Sequence, residues 1–170
     1  MMTPQEITDA EIQEVLDMES LVYDESEQQT LERCRQFFSV NRGIYLFFKD
    51  ADTGKIVGNM NFMPVNDRCY RMIRSGRFVE KDILPDMILP QGSRFYFSGI
   101  TIRGDLRNSG LLACMLRAFL PRTRGMEKML ADAVTERGAR LCRMFGMKEV
   151  CRSSRGSTIY EKVFREGPIQ

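Results

Sequence analysis

A polar, glycine-containing turn, Arg103-Gly-Asp-Leu-Arg-Asn-Ser-Gly110, separates two contrasting runs. Arg94-Phe-Tyr-Phe-Ser-Gly-Ile-Thr-Ile102 reads as a strand, and Leu111 to Leu120 reads as an apolar helix stopped by Pro121. A helix that opens at Asn108 to Gly110 leaves its first N–H groups without carbonyl partners and adds the positive end of its dipole. That combination makes an anion site, and Gly110 lets the backbone approach a pyrophosphate closely. An ordinary capped helix start has the same look, because R-x-x-G alone is short and common. On the strand, Tyr96 and Ser98 project to one face, where they can donate hydrogen bonds to a substrate or to water; a half-buried tyrosine with a satisfied hydroxyl fits the same spacing. Tyr160, in a later strand-like run, is another phenolic acid. Glu80, Asp82 and Asp86 suit either an acceptor site or a solvated loop.

The absences narrow the chemistry. The chain has no histidine, which excludes Ser-His-Asp and Cys-His nucleophile systems, histidine-ligated metals and imidazole pH switches. Acid–base work therefore falls to Glu, Asp, Tyr, Cys, Lys or water. The five cysteines, Cys34, Cys69, Cys114, Cys142 and Cys151, are odd in number and include no C-x-x-C pair. Neither a disulfide framework nor a four-thiolate zinc site is expected, and no metal is expected as cofactor. The first residues carry no basic and apolar leader pattern, and no stretch approaches the length of a membrane span. The expectation is a cytoplasmic protein with reduced thiols and no membrane partner.

At 170 residues and 19.7 kDa, with 43% apolar and 28% charged residues, the chain has the size and composition of one globular domain. The net charge of +2 hides an asymmetry: residues 1 to 40 hold ten acids against two bases, so the remaining chain is strongly basic. A basic body attracts a nucleotide phosphate, an RNA backbone or an acidic partner, and charge alone does not choose among them.

The elements that must position these residues follow from pattern. Thr8-Asp9-Ala10-Glu11 is a capping box, and Ile12, Val15, Leu16 and Val22 follow at helical spacing, predicting a helix over 9–24, preceded by a short strand near Glu6 to Thr8. Ser26 with Gln29 repeats the capping pattern before a second helix that ends near Asn41 to Gly43. Residues 43–49 and 55–63 read as a hairpin around Asp50 to Gly54, ended by Pro64. Residues 64–93 read as an inserted loop with a short helix from Asp67 to Ser75. After the strand, turn and helix come a strand at 128–135, a helix at 136–145 with Gly146 as its cap, and closing strands at 148–152 and 157–164.

The strand FYFSGITI, the turn DLRNSG, the helix LLACMLRAFL, the strand MLADAV and the segment ARLCRMFGMKEV resemble, in that order, consecutive parts of the GNAT superfamily of acyl-CoA-dependent N-acyltransferases. Arg107, Gly110 and Leu112 fall on the defined positions of the family's R/Q-x-x-G-x-G/A turn, and Gly146-Met147 on its Gly-Phe-like corner. The resemblance spans almost the whole chain. It implies an α/β (α+β) fold in a single domain over 1–170: a mixed, mostly antiparallel sheet flanked by helices, with one β-α-β crossover and a splayed strand pair, 94–102 and 128–135, between which pantetheine pairs like an extra strand.

The resemblance further implies acetyl-CoA, or a related coenzyme A thioester, as co-substrate and an unidentified primary amine as acceptor, which attacks the thioester directly. Its pyrophosphate would lie on the N–H groups of Arg107, Asn108, Ser109, Gly110, Leu111 and Leu112, and its thioester and pantetheine on the backbone of Ile100 and Ile102. Arg117, Arg122 and Arg124 would serve the adenosine 3′-phosphate. Leu112 stands where the family has Gly or Ala. Cys142 stands where a tyrosine often protonates the leaving thiolate; a thiol of ordinary pKa about 8.5 can act as an acid, and a buried packing role is the reading the residue type favours. Glu136 stands at a frequent asparagine position and reads either as a base or as a helix-start acid favoured by the dipole. With Tyr96 and Ser98, these are the candidate catalytic residues. Two further readings stand beside the enzyme: a GNAT-like protein that binds CoA or a partner without efficient catalysis, and a tRNA- or nucleoprotein-directed protein, for which Arg68, Arg71, Arg74 and Arg77 are the basic candidates. Nucleic acid is the less favoured partner, and such a fold admits a homodimer.

Overall fold

In the computed structural model, which describes residues 7–164, the elements run α1 (Asp9–Ser20), α2 (Leu31–Val40), β1 (Tyr45–Lys49), β2 (Ile56–Pro64), α3 (Asp67–Arg74), β3 (Arg94–Ile102), α4 (Leu111–Phe119), β4 (Lys128–Ala133), α5 (Glu136–Met144), β5 (Lys148–Arg152) and β6 (Thr158–Val163), with 3-10 turns between them. The strands form one six-stranded sheet in the order β1-β2-β3-β4-β6-β5. The β1·β2, β4·β6 and β5·β6 pairs are antiparallel and β3·β4 is parallel, so β3-α4-β4 is the crossover expected from the sequence. The chain divides into two compact units, one running to Asn61 together with Gly99–Arg124, the other Phe62–Ser98 together with the chain from Gly125.

In the first unit, Thr8 caps α1 reciprocally: its hydroxyl accepts from the Glu11 N–H at 3.3 Å and the Glu11 carboxylate accepts from the Thr8 N–H at 2.7 Å. The face so oriented buries Ile12, Val15 and Met18, and the last two pack with Ile56 and Phe47. The hairpin turn is held by the Asp50 side chain, which accepts from the Thr53 N–H and hydroxyl, both at 2.9 Å. A bulge follows, with Phe48 opposite Gly58 and Lys49 opposite Ile56. Gly58 is required there, since a Cβ would sit 3.0 Å from the Met115 sulfur and 3.1 Å from the Thr101 carbonyl oxygen.

In the second unit, Asn66 caps α3 by accepting from the Cys69 N–H at 2.8 Å, and the irregular stretch after it buries Val79, Ile83, Met87 and Ile88. The predicted insertion is therefore part of this unit's core. The strands β4 and β6 pair along their length, from Lys128 opposite Val163 to Ala133 opposite Thr158, and bury Met129, Leu130, Ala131 and Ile159.

Four boundaries differ from expectation. The helix α1 ends at Ser20 rather than at 24, because the N–H groups of Val22 and Tyr23 both turn back to the Glu19 carbonyl. The second helix starts at Leu31, where Thr30 accepts from the Arg33 N–H at 3.2 Å; Gln28 is already extended, which breaks any continuation from residue 26. The strand β4 stops at Ala133 because Thr135 caps α5, accepting from the Gly138 N–H at 3.1 Å. The helix α4 ends at Phe119 and runs into a 3-10 turn, Leu120–Thr123, with Pro121 as its second residue, instead of an abrupt stop. Of the strand expected near Glu6 to Thr8, Glu6 lies outside the described residues, and Ile7 and Thr8 are not in a strand.

Candidate active site

The turn after β3 carries the features that an anion cradle needs. Gly110 stands at the N-cap of α4 with φ 82, a left-handed conformation that glycine adopts without strain, and a Cβ there would meet nothing within 4 Å. The Ser109 N–H and hydroxyl both turn back to the Leu106 carbonyl, at 3.1 and 2.7 Å, and the Leu111 N–H reaches the Ser109 hydroxyl at 3.4 Å. Among the described residues, nothing accepts from the N–H groups of Asn108, Gly110 or Leu112. Those are the unpaired donors of a helix start, and the dipole of α4 adds to them. The side chain of Leu112 is half-buried, and its N–H is one of the three.

The arginines of the turn divide by partner. Arg103 is clamped by Asp105, at 2.7 and 3.1 Å, and this hydrogen bonding holds the Asp105 carboxyl below its ordinary value. Arg107 is exposed and has no ion-pair partner among the described residues. It also lines a cavity of about 390 Å³ whose walls are Met18, Leu21, Val22, Ile56 and Ile102, with Glu14 and Asp17 opposite Arg103 and Arg107 in charge. That is an apolar chamber of ligand size with a cationic edge. Leu21 is 82% exposed, a large apolar side chain left at the chamber's margin. Glu14 is partly used by the fold, accepting from the Ile56 N–H at 3.0 Å.

A second polar group in the same unit was not anticipated. Glu19 of α1 accepts from Asn59 Nδ2 at 2.9 Å and Asn61 Nδ2 at 3.4 Å. Asn59 is completely buried, and among the described residues its Oδ1 and the buried hydroxyl of Thr101 on β3 are without a partner. Burial pulls the Glu19 carboxyl above its ordinary value, against the opposing hydrogen bonds from the two asparagines. The signal was present in the sequence: Glu19 lies on the Ile12, Val15, Val22 stripe, and two asparagines at i, i+2 interrupt an apolar strand.

The candidate catalytic residues Cys142, Glu136, Tyr96 and Ser98 belong to the second unit. Cys142 is buried, and burial pushes its thiol up to about 11. Glu136 is exposed at the first position of α5, where it accepts from Arg143 Nη2 at 2.7 Å. Tyr96 is buried on β3, and the Ser98 hydroxyl is buried without a partner among the described residues. Tyr160 is buried and its hydroxyl accepts from Arg143 Nη1 at 3.2 Å. In the insertion, Asp82 is occupied in capping, accepting from the Val79 N–H at 2.9 Å. Arg74 pairs with Glu161, while Arg68 and Arg71 are exposed on α3 and Arg77 lies past its end. Arg117, Arg122 and Arg124 are exposed. The parallel register of β3 with β4 carries Arg94 to Phe97 opposite Lys128 to Ala131 and stops there, while β3 runs on to Ile102. Among the described residues, no group of side chains suits a metal ion and no helix is long and apolar enough to cross a membrane.

The backbone is similar to those of several solved structures. The chain is similar to the loading GNATL domain of CurA from Lyngbya majuscula, at TM-score 0.66 and 15% identity over 92% of this chain and 94% of that one. It is similar to the GphF GNAT-like decarboxylase in complex with isobutyryl-CoA, at TM-score 0.68 and 10% identity over 93% and 97% of the two chains. It is also similar to Ard1 from Thermoplasma volcanium, at TM-score 0.65 and 13% identity over 95% and 97%. The chain has the GNAT fold. No protein-family model and no curated protein matches its sequence.

Proposed function

We propose that the chain is an acyl-CoA-dependent N-acyltransferase, working as one domain, that moves an acetyl or related acyl group from coenzyme A to a primary amine. The observation that carries this reading is the start of α4, where left-handed Gly110 and the unpaired N–H groups of Asn108, Gly110 and Leu112 open beside Arg107 and an apolar chamber. The pyrophosphate would accept from those N–H groups, and Arg107 would add a formal charge. The backbone of β3 at Ile100 and Ile102 would hold pantetheine and polarise the acyl carbonyl. The neutral amine nitrogen attacks that carbon, the C–N bond forms, the C–S bond breaks, the nitrogen gives up one proton to a base, and the leaving thiolate takes one from an acid. Cys142 is the proposed acid, Glu136 the proposed base, and Tyr96 and Ser98 the proposed hydrogen-bond donors to substrate or water; the buried Ser98 hydroxyl is without a partner among the described residues.

The solved neighbour bound to isobutyryl-CoA supports a CoA thioester as the ligand class. Thermal unfolding with acetyl-CoA and with CoA tests the reading. At about one hundred times Kd, one site adds about 2.7 kcal/mol, or roughly 5–11 °C in Tm for a domain of this size. Release of free thiol from acetyl-CoA on adding primary amines then establishes transfer. Absence of any shift with either ligand overturns the reading.

A second reading, a GNAT-like protein that binds acyl-CoA without turnover, draws on Cys142. A thiol raised to about 11 is a poor proton donor to a thiolate of ordinary basicity. It predicts the Tm shift without thiol release.

A further inference from the structure

The second unit carries an arginine surface to which acyl transfer assigns no role. Residues 68–79 hold four arginines and residues 150–160 hold two, and neither segment contains an acid or a lysine. In α3, Cys69, Tyr70 and Ile73 are buried, which leaves Arg68, Arg71 and Arg74 along the exposed face, and exposed Arg77 follows past its end. The turn between β5 and β6 adds exposed Arg152 and Arg155. Backbone contacts join the two segments: the Ser154 N–H donates to the Gly76 carbonyl at 2.9 Å, and the Cys151 thiol donates to the Arg74 carbonyl at 3.3 Å.

The charge on this surface is left uncompensated. The flanking acids are already taken, Asp67 by Arg94 and Glu161 by Arg74 and Tyr70. Among the described residues, the side chains of Arg68, Arg71, Arg77 and Arg155 form no hydrogen bond or ion pair. Like charges on one short helix and on the turn beside its end repel, so a polyanion lowers their energy. Guanidinium forks suit phosphate oxygens, which they bind in pairs. Single strands are held by bases stacked on aromatic side chains, whereas Tyr70 and Tyr160 are buried here and Phe78 is half-buried. The surface therefore suits a duplex backbone. Its two arginine rows meet at Gly76, so the phosphates they reach on two strands must lie close together. The deep, narrow major groove of A-form RNA brings them close, and the B-form groove, about 12 Å wide, does not.

We propose that α3 and the β5–β6 turn bind the phosphate backbone of double-stranded RNA. This interaction is separate from acyl transfer and is read without acetyl-CoA. The test uses the whole protein and a fluorescein-labelled RNA duplex of about 20 base pairs, followed by anisotropy at several salt concentrations. Expected is saturable binding with a slope of about −4 in log K against log salt, each neutralised phosphate contributing about −0.9. Two variants, Arg68→Gln with Arg71→Gln and Arg77→Gln with Arg155→Gln, lie on either side of Gly76. Each is expected to weaken binding by about fivefold or more and to reduce the slope by about 2, at unchanged Tm.

The control is Arg137→Gln with Arg140→Gln, two exposed positions on α5. Arg143 of α5 reaches Tyr160 while Arg74 of α3 reaches Glu161, and consecutive strand residues point to opposite faces, so α5 covers the other side of the sheet. The control should change affinity by less than about twofold. No saturation up to about 100 μM, unchanged affinity in either test variant, or an equal loss in the control overturns the surface. Equal affinity for a DNA duplex of the same sequence overturns the assignment to RNA. Displacement by polyglutamate or by phosphatidylserine vesicles at a lower charge concentration than unlabelled RNA overturns nucleic acid as the partner.

Discussion

The Tyr70 hydroxyl of α3 and the Arg74 guanidinium one turn later both donate to the same oxygen of Glu161 on β6, each at 2.9 Å. Tyr70 is buried, so its hydroxyl has no water to fall back on, and the three residues tie the helix of the second unit to its closing strand. Tyr70→Phe removes one hydrogen bond to a charged acceptor and is expected to lower unfolding free energy by about 1.5 kcal/mol, read as a reduced urea midpoint at unchanged m-value.

The same contact makes stability depend on pH. Burial raises the Glu161 carboxyl, but the hydrogen bonds from Arg74 and Tyr70 outweigh it and leave the group below its ordinary value. As pH falls, the unfolded chain therefore binds this proton first. The stabilisation is complete above the ordinary value of about 4.3 and is lost as pH drops through the lower folded value. The Tm gap between wild type and Glu161→Gln should narrow from about pH 6 to about pH 3. A gap that stays constant removes Glu161 from the acid sensitivity.

Gly76 is a point where backbone meets backbone. Its φ is +73, and a Cβ would lie 2.5 Å from the Arg152 carbonyl oxygen and 3.2 Å from the Cys151 sulfur. Gly76→Ala is expected to cost roughly 2–5 kcal/mol, from a left-handed alanine and an overpacked contact together. Gly54 has φ +68 with nothing within 4 Å, so Gly54→Ala should cost only about 1–2 kcal/mol. Chemical denaturation of the pair separates strain from clash.

At Gly110 the free protein has room for a side chain that the bound state would lack. With φ +82 and open space around its Cβ, Gly110→Leu should destabilise by about 1–2 kcal/mol, yet abolish the Tm rise with acetyl-CoA. Retention of the full rise in a folded variant would refute the cradle.

Thiol labelling reads burial directly. Cys114 is exposed, Cys151 is intermediate, and Cys34, Cys69 and Cys142 are buried; burial holds Cys69 up to about 12 and Cys142 up to about 11. A chromogenic disulfide should modify Cys114 first and Cys151 more slowly. The other three should react only on unfolding. Fast labelling of Cys142 in the native protein would restore it as an accessible acid.

Local rules carry far in this chain. The capping box at Thr8, the turn at Asp50 to Gly54, the alternation of β3 and the glycine before α4 are each decided within a few residues, where propensity, capping and backbone conformation act. Together they were enough for the element order and for a resemblance to one superfamily. The absence of histidine likewise settled which chemistries were open before any coordinates. Other features depend on partners distant in sequence. Asn59 and Asn61 meet Glu19 about forty residues away, and only the packing of α1 against β2 turns three ordinary polar side chains into one buried group. In sequence Cys142 was open to an acid role beside the favoured packing role, and burial in the second unit raises its thiol. The sequence pointed to Ser26 as the cap of the second helix; the extended backbone at Gln28 moves the cap to Thr30. Periodicity says which face of an element is turned inward, and the desolvation and hydrogen bonding found there are properties of the assembled structure.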